Sequence, residues 1–400
     1  MLDNEFPPLG GGTGVVNYHL LKELASYRDV SVDLVTASQS TCGPETEQFA
    51  QRITIYKVPG GNRNIHHATN GDLCRYAGRA LWLCRTLLKR HDYDLSFAFA
   101  GVPAGVISYI LKQRHKLPYL VSLQGPDVPG FEARYNYLYP FLKPLVRRIW
   151  SEAAVVTAIS KDHQCLAHGS LPNLDIAIVP NGVDTGRYYP TEAPRRTARL
   201  NILCTGRLIE RKGQHHLLRA FARLLADSDR SLRLTLVGAG DAEDRLHRLA
   251  STLDLDNAVT FTGAVAWEDM PTVYRQADMF VLPSQNEGMS IALLEAMASG
   301  LPVVVTNTGG TTELIVEETH GHVVPWGDVS ALTEALASLV RDENTRRRMG
   351  HECRQRAMQF VWPTIARQYL DLCERIAARA QPGAFSVYES TPKGLESTHH

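Results

Sequence analysis

Short apolar, β-branched runs alternate with longer amphipathic stretches along almost the whole chain. That alternation restricts the fold more than any other feature. Eleven runs read as strands: 30–36, 53–58, 95–100, 119–125, 154–160 and 176–182, then 200–206, 232–238, 259–263, 279–284 and 301–307. Between most of them lie stretches such as GVVNYHLLKELASY and QHHLLRAFARLLADS. These place apolar residues at i, i+3, i+4 and i+7, the spacing of a helix packed by one face. Strands that are apolar throughout are buried on both faces, so with helices between them they predict parallel sheets. Eleven such strands exceed one plain sheet. The polar, proline-containing segment YYPTEAPRRTAR (188–199) divides them into two sets. The expected fold class is therefore α/β, with two doubly wound domains facing a cleft. Ligands of such sheets bind at the carboxyl ends of the strands, which puts the expected site in the cleft. A closed eight-stranded βα barrel is the rival, disfavoured by the linker and the excess of strands.

Composition narrows the function. Lys and Arg number 42, as do Asp and Glu, so no global field points to nucleic acid. No apolar run reaches the roughly 18–20 residues that span a bilayer. The start, MLDNEFPPLGGG, lacks the basic and apolar parts of a signal peptide. The seven cysteines include no CxxC pair, which fits a reduced, cytoplasmic chain. The closing LESTHH reads as a vector remnant.

Three stretches look chemical. PPLGGGTG (7–14) places Gly10, Gly11 and Gly12 between a short extended start and a helix. Glycine lets a backbone approach a ligand, and a helix start offers amides to an anion. The stretch is neither GxGxxG nor a Walker loop, and an ordinary tight turn explains it as well. In CTGRLIERKGQHH (204–216), Arg207 and Lys212 follow a strand and stand where both cations would face the cleft. A guanidinium and an ammonium there could neutralise a diphosphate as it departs. Glu210 and Arg211 read as a solvated charged loop. In SQNEGMSIALLEAMASG, a helix is predicted over 290–299, ended by Gly300 and Pro302. Glu295 falls inside that helix, where a buried acid needs a hydroxyl or amide partner such as a ribose diol. Glu287 stands at its mouth, placed for a sugar hydroxyl. A hydrolase pair is disfavoured: eight helical residues rise about 12 Å, whereas retaining glycosidases hold their carboxyls about 5–5.5 Å apart.

With these pieces in order, the chain resembles the retaining GT-B glycosyltransferases of family GT4 over nearly its whole length. The resemblance is carried by GRLIERKG, by ADMFVLPSQNEGMSIALLEAMASGLPVVVTNTGGTTELI with its E-x7-E spacing, by VPNGVD (179–184) and by VGAGD (237–241). It implies two Rossmann-like domains: an acceptor domain over 1–187, a linker at 188–199 and a nucleotide-sugar donor domain over 200–361. It further implies a helix at 362–381 crossing back to the first domain. A disordered tail is expected at 382–400. Arg207 and Lys212 then match the diphosphate-binding cations, with Gly206 beside them. Glu295 matches the acid that holds the ribose, and Glu287 the acid beside the donor sugar. Met289, Ser290 and Ile291 match the helix start near sugar and phosphate. Gly11 and Gly12 match the loop near the diphosphate and the acceptor, and Val265 falls near the base. The implied reaction moves a hexose or N-acetylhexosamine from a nucleotide-diphosphate sugar, with UDP favoured, to an acceptor hydroxyl. It would need no metal and no cofactor, with UDP left in the cleft as product.

Two departures stand out. Where many members of the family carry a histidine, the aligned residue here is Gln124, which cannot shuttle a proton. Asp127, or an oxygen of the leaving phosphate, would have to accept the acceptor's proton. The family's first strand is also longer than Met1–Asn4. Weaker candidates are the loop at 59–72 with Arg63, His66 and His67, the pair His215–His216, and the amphipathic stretch 137–150. That last stretch, with Lys143, Arg147 and Arg148, could rest on an anionic membrane. The expected partners are the donor and a saccharide, lipid-linked or small-molecule acceptor, with no nucleic acid and with peripheral membrane contact open. Rivals are a sugar-nucleotide epimerase or hydrolase of the same fold, and a non-catalytic nucleotide-sugar-binding subunit.

Overall fold

The structure is a computed structural model that describes residues 1–40, 43–60, 68–125, 127–132, 139–191 and 199–380. Arg63, His66, His67, most of the expected linker and the tail beyond 380 lie outside these residues.

The first half runs α1 (Gly12–Leu24), β1 (Val32–Ser38), β2 (Glu45–Ala50), β3 (Ile53–Pro59), α2 (Asn70–Leu87), β4 (Ser96–Phe99), α3 (Val106–His115), β5 (Tyr119–Leu123), α4 (Tyr139–Glu152), β6 (Val155–Ala158), α5 (Lys161–His168) and β7 (Ile176–Ile178). Strands β4-β5-β6-β7 pair in parallel, and β1-β3-β2 form a second set. Leu2 joins the sets by bridging both Val35 of β1 and Ala98 of β4. The expected first strand is therefore reduced to one bridged residue, held by Leu2 N–H to Phe97 O at 2.8 Å and Phe99 N–H to Leu2 O at 2.9 Å.

The second half runs β8 (Arg199–Thr205), α6 (Gln214–Ala226), β9 (Ser231–Val237), α7 (Glu243–Thr252), β10 (Val259–Phe261), α8 (Met270–Arg275), β11 (Met279–Leu282), α9 (Ile291–Ala298), β12 (Val303–Thr306), α10 (Thr311–Leu314), β13 (Gly321–Val324), α11 (Val329–Arg341), α12 (Glu343–Ala357) and α13 (Trp362–Ala380). Its sheet is parallel in the order β10-β9-β8-β11-β12-β13, the strand order of a doubly wound dinucleotide fold. Both sheets are open, which rules against the closed barrel.

All eleven expected strands form, and two more, β2 and β13, were not expected. β2 is a polar, mostly exposed strand antiparallel to β3, so it lacks the apolar signature of the others.

Helix α13 does not stay with the second half. Its Trp362, Ile365, Tyr369 and Ile376 pack with Phe6, Val16, Leu20 and Phe97 of the first. Val183 and Val361 bridge side by side where the chain passes between the halves. Gly182 is required there, because a Cβ would lie 2.7 Å from the Trp362 ring.

Candidate functional site

The carboxyl ends of β8, β11 and β12 carry the residues singled out in the second half. Gly206 ends β8 at φ +142, a conformation that side chains resist. Arg207 follows, half-buried, and a short turn over Glu210–Lys212 leads to Gly213 at the start of α6. The turn brings Lys212 Nζ to 2.5 Å from Glu287 Oε1. Both side chains are largely shielded, at 15% and 11% exposure. Burial alone would push the Glu287 carboxyl up, but the Lys212 ammonium outweighs it and holds the group below the usual range.

The two glycines after β12 fix the loop that carries Glu287. A Cβ on Gly309 would lie 2.4 Å from Glu287 O, and one on Gly310 would lie 1.7 Å from Gly288 O. Ser290 then caps α9, its Oγ accepting from Leu293 N–H at 3.3 Å. Asn181 of the VPNGVD stretch reaches across from the first half. Its side-chain amide donates to Met289 O at 2.9 Å. Ile291 faces the glycine turn, since a Cβ on Gly12 would sit 3.8 Å from its Cδ1. Met289, Ser290, Ile291 and Gly12 thus meet at the junction of the two halves.

Glu295 lies inside α9 and is buried. Its Oε2 accepts from the Tyr274 hydroxyl at 2.9 Å, and that hydroxyl also sits 2.9 Å from Thr205 Oγ1. Burial pushes the Glu295 carboxyl up to about 7, against the opposing pull of nearby tyrosine hydroxyls and Arg187. The hydroxyl partner that the sequence demanded is therefore supplied, on one oxygen, by the protein.

Val265 is half-buried beside the cluster that contains Met289. Two residues on, Trp267 ties this loop to the first half. The Arg187 guanidinium stacks 3.7 Å above its ring, and Tyr18 of α1 meets it edge-on at 4.9 Å.

Several expectations need correcting. Asp127 is not poised as a base. Its Oδ1 accepts Gly125 N–H at 2.9 Å and Gln124 N–H at 3.2 Å, and its Oδ2 accepts Gly101 N–H at 2.9 Å. Both oxygens are engaged in holding a turn. Gln124 itself donates to Ser122 Oγ at 2.8 Å. The amide of Gly11 is not free for an anion, because it donates to Glu5 Oε2 at 2.9 Å. Arg211 is not a solvated loop residue. It donates to Asn286 O at 3.1 Å and stands 3.9 Å from Glu132 in the first half. Its neighbour Glu210 does fit that description, being exposed and paired with Arg245 and His215.

Sequence reasoning missed Glu5, Asn181, Arg187, Trp267 and Tyr274. Only Asn181 carried a signal, through its place in VPNGVD. Among the described residues no cluster of three or more His, Cys, Asp or Glu side chains is placed to hold a metal, and no helix is long and apolar enough to cross a membrane.

Comparison with known proteins gives the family and the fold. Residues 10–187 match the model of glycosyltransferase family 4, and residues 191–356 that of glycosyl transferases group 1. A GDP-mannose-dependent alpha-(1-6)-phosphatidylinositol monomannoside mannosyltransferase of Mycobacterium tuberculosis is 30% identical, over 72% of this chain and 77% of its own length. The Mycolicibacterium smegmatis protein of the same name is 27% identical over 93% and 97%. Mannosylfructose-phosphate synthase of Agrobacterium fabrum is 28% identical over 92% and 88%. Among solved structures, sucrose-phosphate synthase from Thermosynechococcus elongatus superposes with a TM-score of 0.80 at 21% identity, covering 92% of this chain and 94% of that one. The complex of Anabaena HepE with UDP and glucose gives 0.71 at 20% identity, covering 94% and 98%. The chain belongs to the group 1 glycosyltransferases of family GT4, and its fold is GT-B.

Proposed function

We propose that this glycosyltransferase moves mannose from GDP-mannose to the hydroxyl of a lipid-linked or saccharide acceptor, with retention at the anomeric carbon. The observation that carries the site is the shielded Lys212–Glu287 pair beside the capped start of α9, with Glu295 two turns further in. An incoming diphosphate would replace Glu287 as the partner of Lys212, leaving the carboxylate for a sugar hydroxyl. Arg207 and Lys212 would carry the charge of the departing GDP. Glu295 would take the ribose, and Val265 would flank the base. The uridine nucleotide expected from the family at large gives way to guanosine because two of the three relatives above are named for GDP-mannose.

Retention is supported by the state of the two groups considered above as proton acceptors. Asp127 is committed to three amides, and Gln124 cannot hold a proton. The bond from the anomeric carbon to the β-phosphate would break while the bond to the acceptor oxygen forms on the same face. The acceptor's proton passes to the phosphate oxygen.

The test is a thermal-shift and calorimetry panel of GDP-, UDP- and ADP-sugars, followed by product analysis with and without saccharide and phosphoinositide acceptors. An α-mannoside formed only with acceptor is expected. Free mannose or an epimerised donor without acceptor would favour the hydrolase or epimerase reading. Nucleotide binding without turnover would favour a non-catalytic subunit.

A further inference from the structure

The loop that carries Glu287 is held from both halves of the chain. From its own half come the Lys212–Glu287 pair and the Arg211 guanidinium, which donates to Asn286 O at 3.1 Å. From the first half comes the turn after β5 that begins at Gln124. Val128 N–H donates to Gly125 O at 2.9 Å and Phe131 N–H to Val128 O at 3.0 Å, which fixes Phe131 at the end of that turn. The Phe131 carbonyl accepts a hydrogen bond from the Asn286 side-chain amide. Glu132, next in the chain, stands 3.9 Å from Arg211.

The Phe131 ring makes the second contact. A Cβ on Gly288 would stand 3.8 Å from Phe131 Cε2 and 2.6 Å from Ile159 Cδ1, so only a glycine lets the two halves approach this closely. On its other side the ring is backed by His163 of α5, which is 1% exposed and lies 5.5 Å away between ring centres. Neither contact touches the Glu287 carboxylate. They hold the residues on either side of it, Asn286 and Gly288. Lys212 answers the charge of Glu287, whereas Phe131 fixes where its backbone stands.

We propose that Asn286 and Phe131 are positioning residues for sugar transfer, which keep Glu287 in place when a diphosphate draws Lys212 away from it. The inference rests on the exchange of partners at Lys212 proposed above. Two restraints on one short loop are redundant while Lys212 remains paired with Glu287. Once the ammonium turns to phosphate, the Asn286–Phe131 bond becomes the side-chain tie that stops the carboxylate from drifting. The same contact sets Glu287 against the turn that carries Gln124, so the two sides of the cleft share one reference point. A displacement of about 1 Å in such a group can cost roughly a hundredfold in rate. Ordinary packing between the halves is the competing account. It predicts that losing the Asn286 amide loosens the loop equally whether or not nucleotide is bound.

Hydrogen exchange of the full chain separates the two accounts, read over 284–288 with and without GDP or UDP, whichever calorimetry shows to bind. In the parent, these amides should exchange at the same rate in both states. In Asn286→Ala they should match the parent without nucleotide and exchange roughly five- to tenfold faster with it, the effect of one lost hydrogen bond. Asn286→Gln, which keeps an amide donor, should restore the protection. With an acceptor from the panel above, Asn286→Ala should lower kcat roughly tenfold and leave the affinity for free nucleotide within about twofold. Loosening of equal size with and without nucleotide, or none in either state, would overturn the proposal while leaving the nucleotide site intact. If neither nucleotide binds in calorimetry or thermal shift, the exchange at Lys212 fails and takes the proposal with it.

Discussion

Glu295 should make the fold less stable as the pH rises. Its carboxyl titrates near 7 in the folded chain, against an ordinary value of 4.5. Below 4.5 both folded and unfolded chains hold the proton, and Glu295 is neutral between them. Between 4.5 and 7 the folded chain keeps a proton that the unfolded chain has shed, so stability falls as the pH rises. Above 7 both forms are ionised, and the full penalty of a buried carboxylate is present. The gap of about 2.5 pH units corresponds to roughly 3 kcal/mol, at about 1.4 kcal/mol per unit. Glu295→Gln keeps an acceptor for the Tyr274 hydroxyl but cannot ionise. Part of that penalty is already present at pH 5, so urea unfolding of both proteins at pH 5 and pH 8 should show the parent losing roughly 2–3 kcal/mol more than the variant. The same carboxylate is proposed to hold the ribose, and hydroxyls prefer its charged form. Nucleotide affinity should therefore tighten as the pH rises through 7, with protons released to the buffer in calorimetry. Parallel pH slopes for parent and Glu295→Gln would refute the reasoning.

Lys212→Ala leaves Glu287 shielded and unpaired, a change that costs about 3–5 kcal/mol in buried pairs. Adding Glu287→Gln should recover most of the loss in thermal unfolding, and a single variant within 1 kcal/mol of the parent would contradict the pairing. Gly310→Ala forces a methyl group into Gly288 O, so it should lower the melting temperature by many degrees or abolish soluble expression. Asp127→Asn should cost about 1–3 kcal/mol, because it keeps one acceptor oxygen of the two and so leaves either the Gly101 amide or the Gln124 and Gly125 amides without an acceptor. Its turnover per folded molecule should stay within a few-fold of the parent, and a collapse of turnover would return Asp127 to the list of bases.

The sheet architecture was legible because buried parallel strands must be largely apolar on both faces, and segments such as LPVVV, and YLVSL with its Ser122 paired to the Tyr369 hydroxyl, meet that demand. β2 escaped notice because an edge strand with one hydrogen-bonded side needs no such pattern, and ETEQFA has none. The second-half site could be read from local spacing, since Lys212, Glu287 and Ser290 lie on strand-to-helix turns and Glu295 inside the helix that follows, α9. What could not be read was long-range pairing. Nothing adjacent to Asp127 announces that Gly101 will claim it. Nothing near Arg211 places Glu132 beside it, and Trp267 gives no sign of Arg187 above its ring. The Gly101–Asp127 contact closes between distant segments of the first half and the other two form where the halves meet, and a one-dimensional pattern carries no record of any of them.

The return of α13 to the first half has a consequence for biosynthesis. During translation the opening residues, Phe6, Val16 and Leu20 among them, emerge long before Trp362 and Tyr369, which finally cover them. Until the closing segment leaves the ribosome, the early lobe presents a sticky, unfinished flank, so nascent chains should depend on chaperones. Splitting the gene between the lobes should give an insoluble leading fragment, unless a peptide spanning 362–380 is supplied in trans.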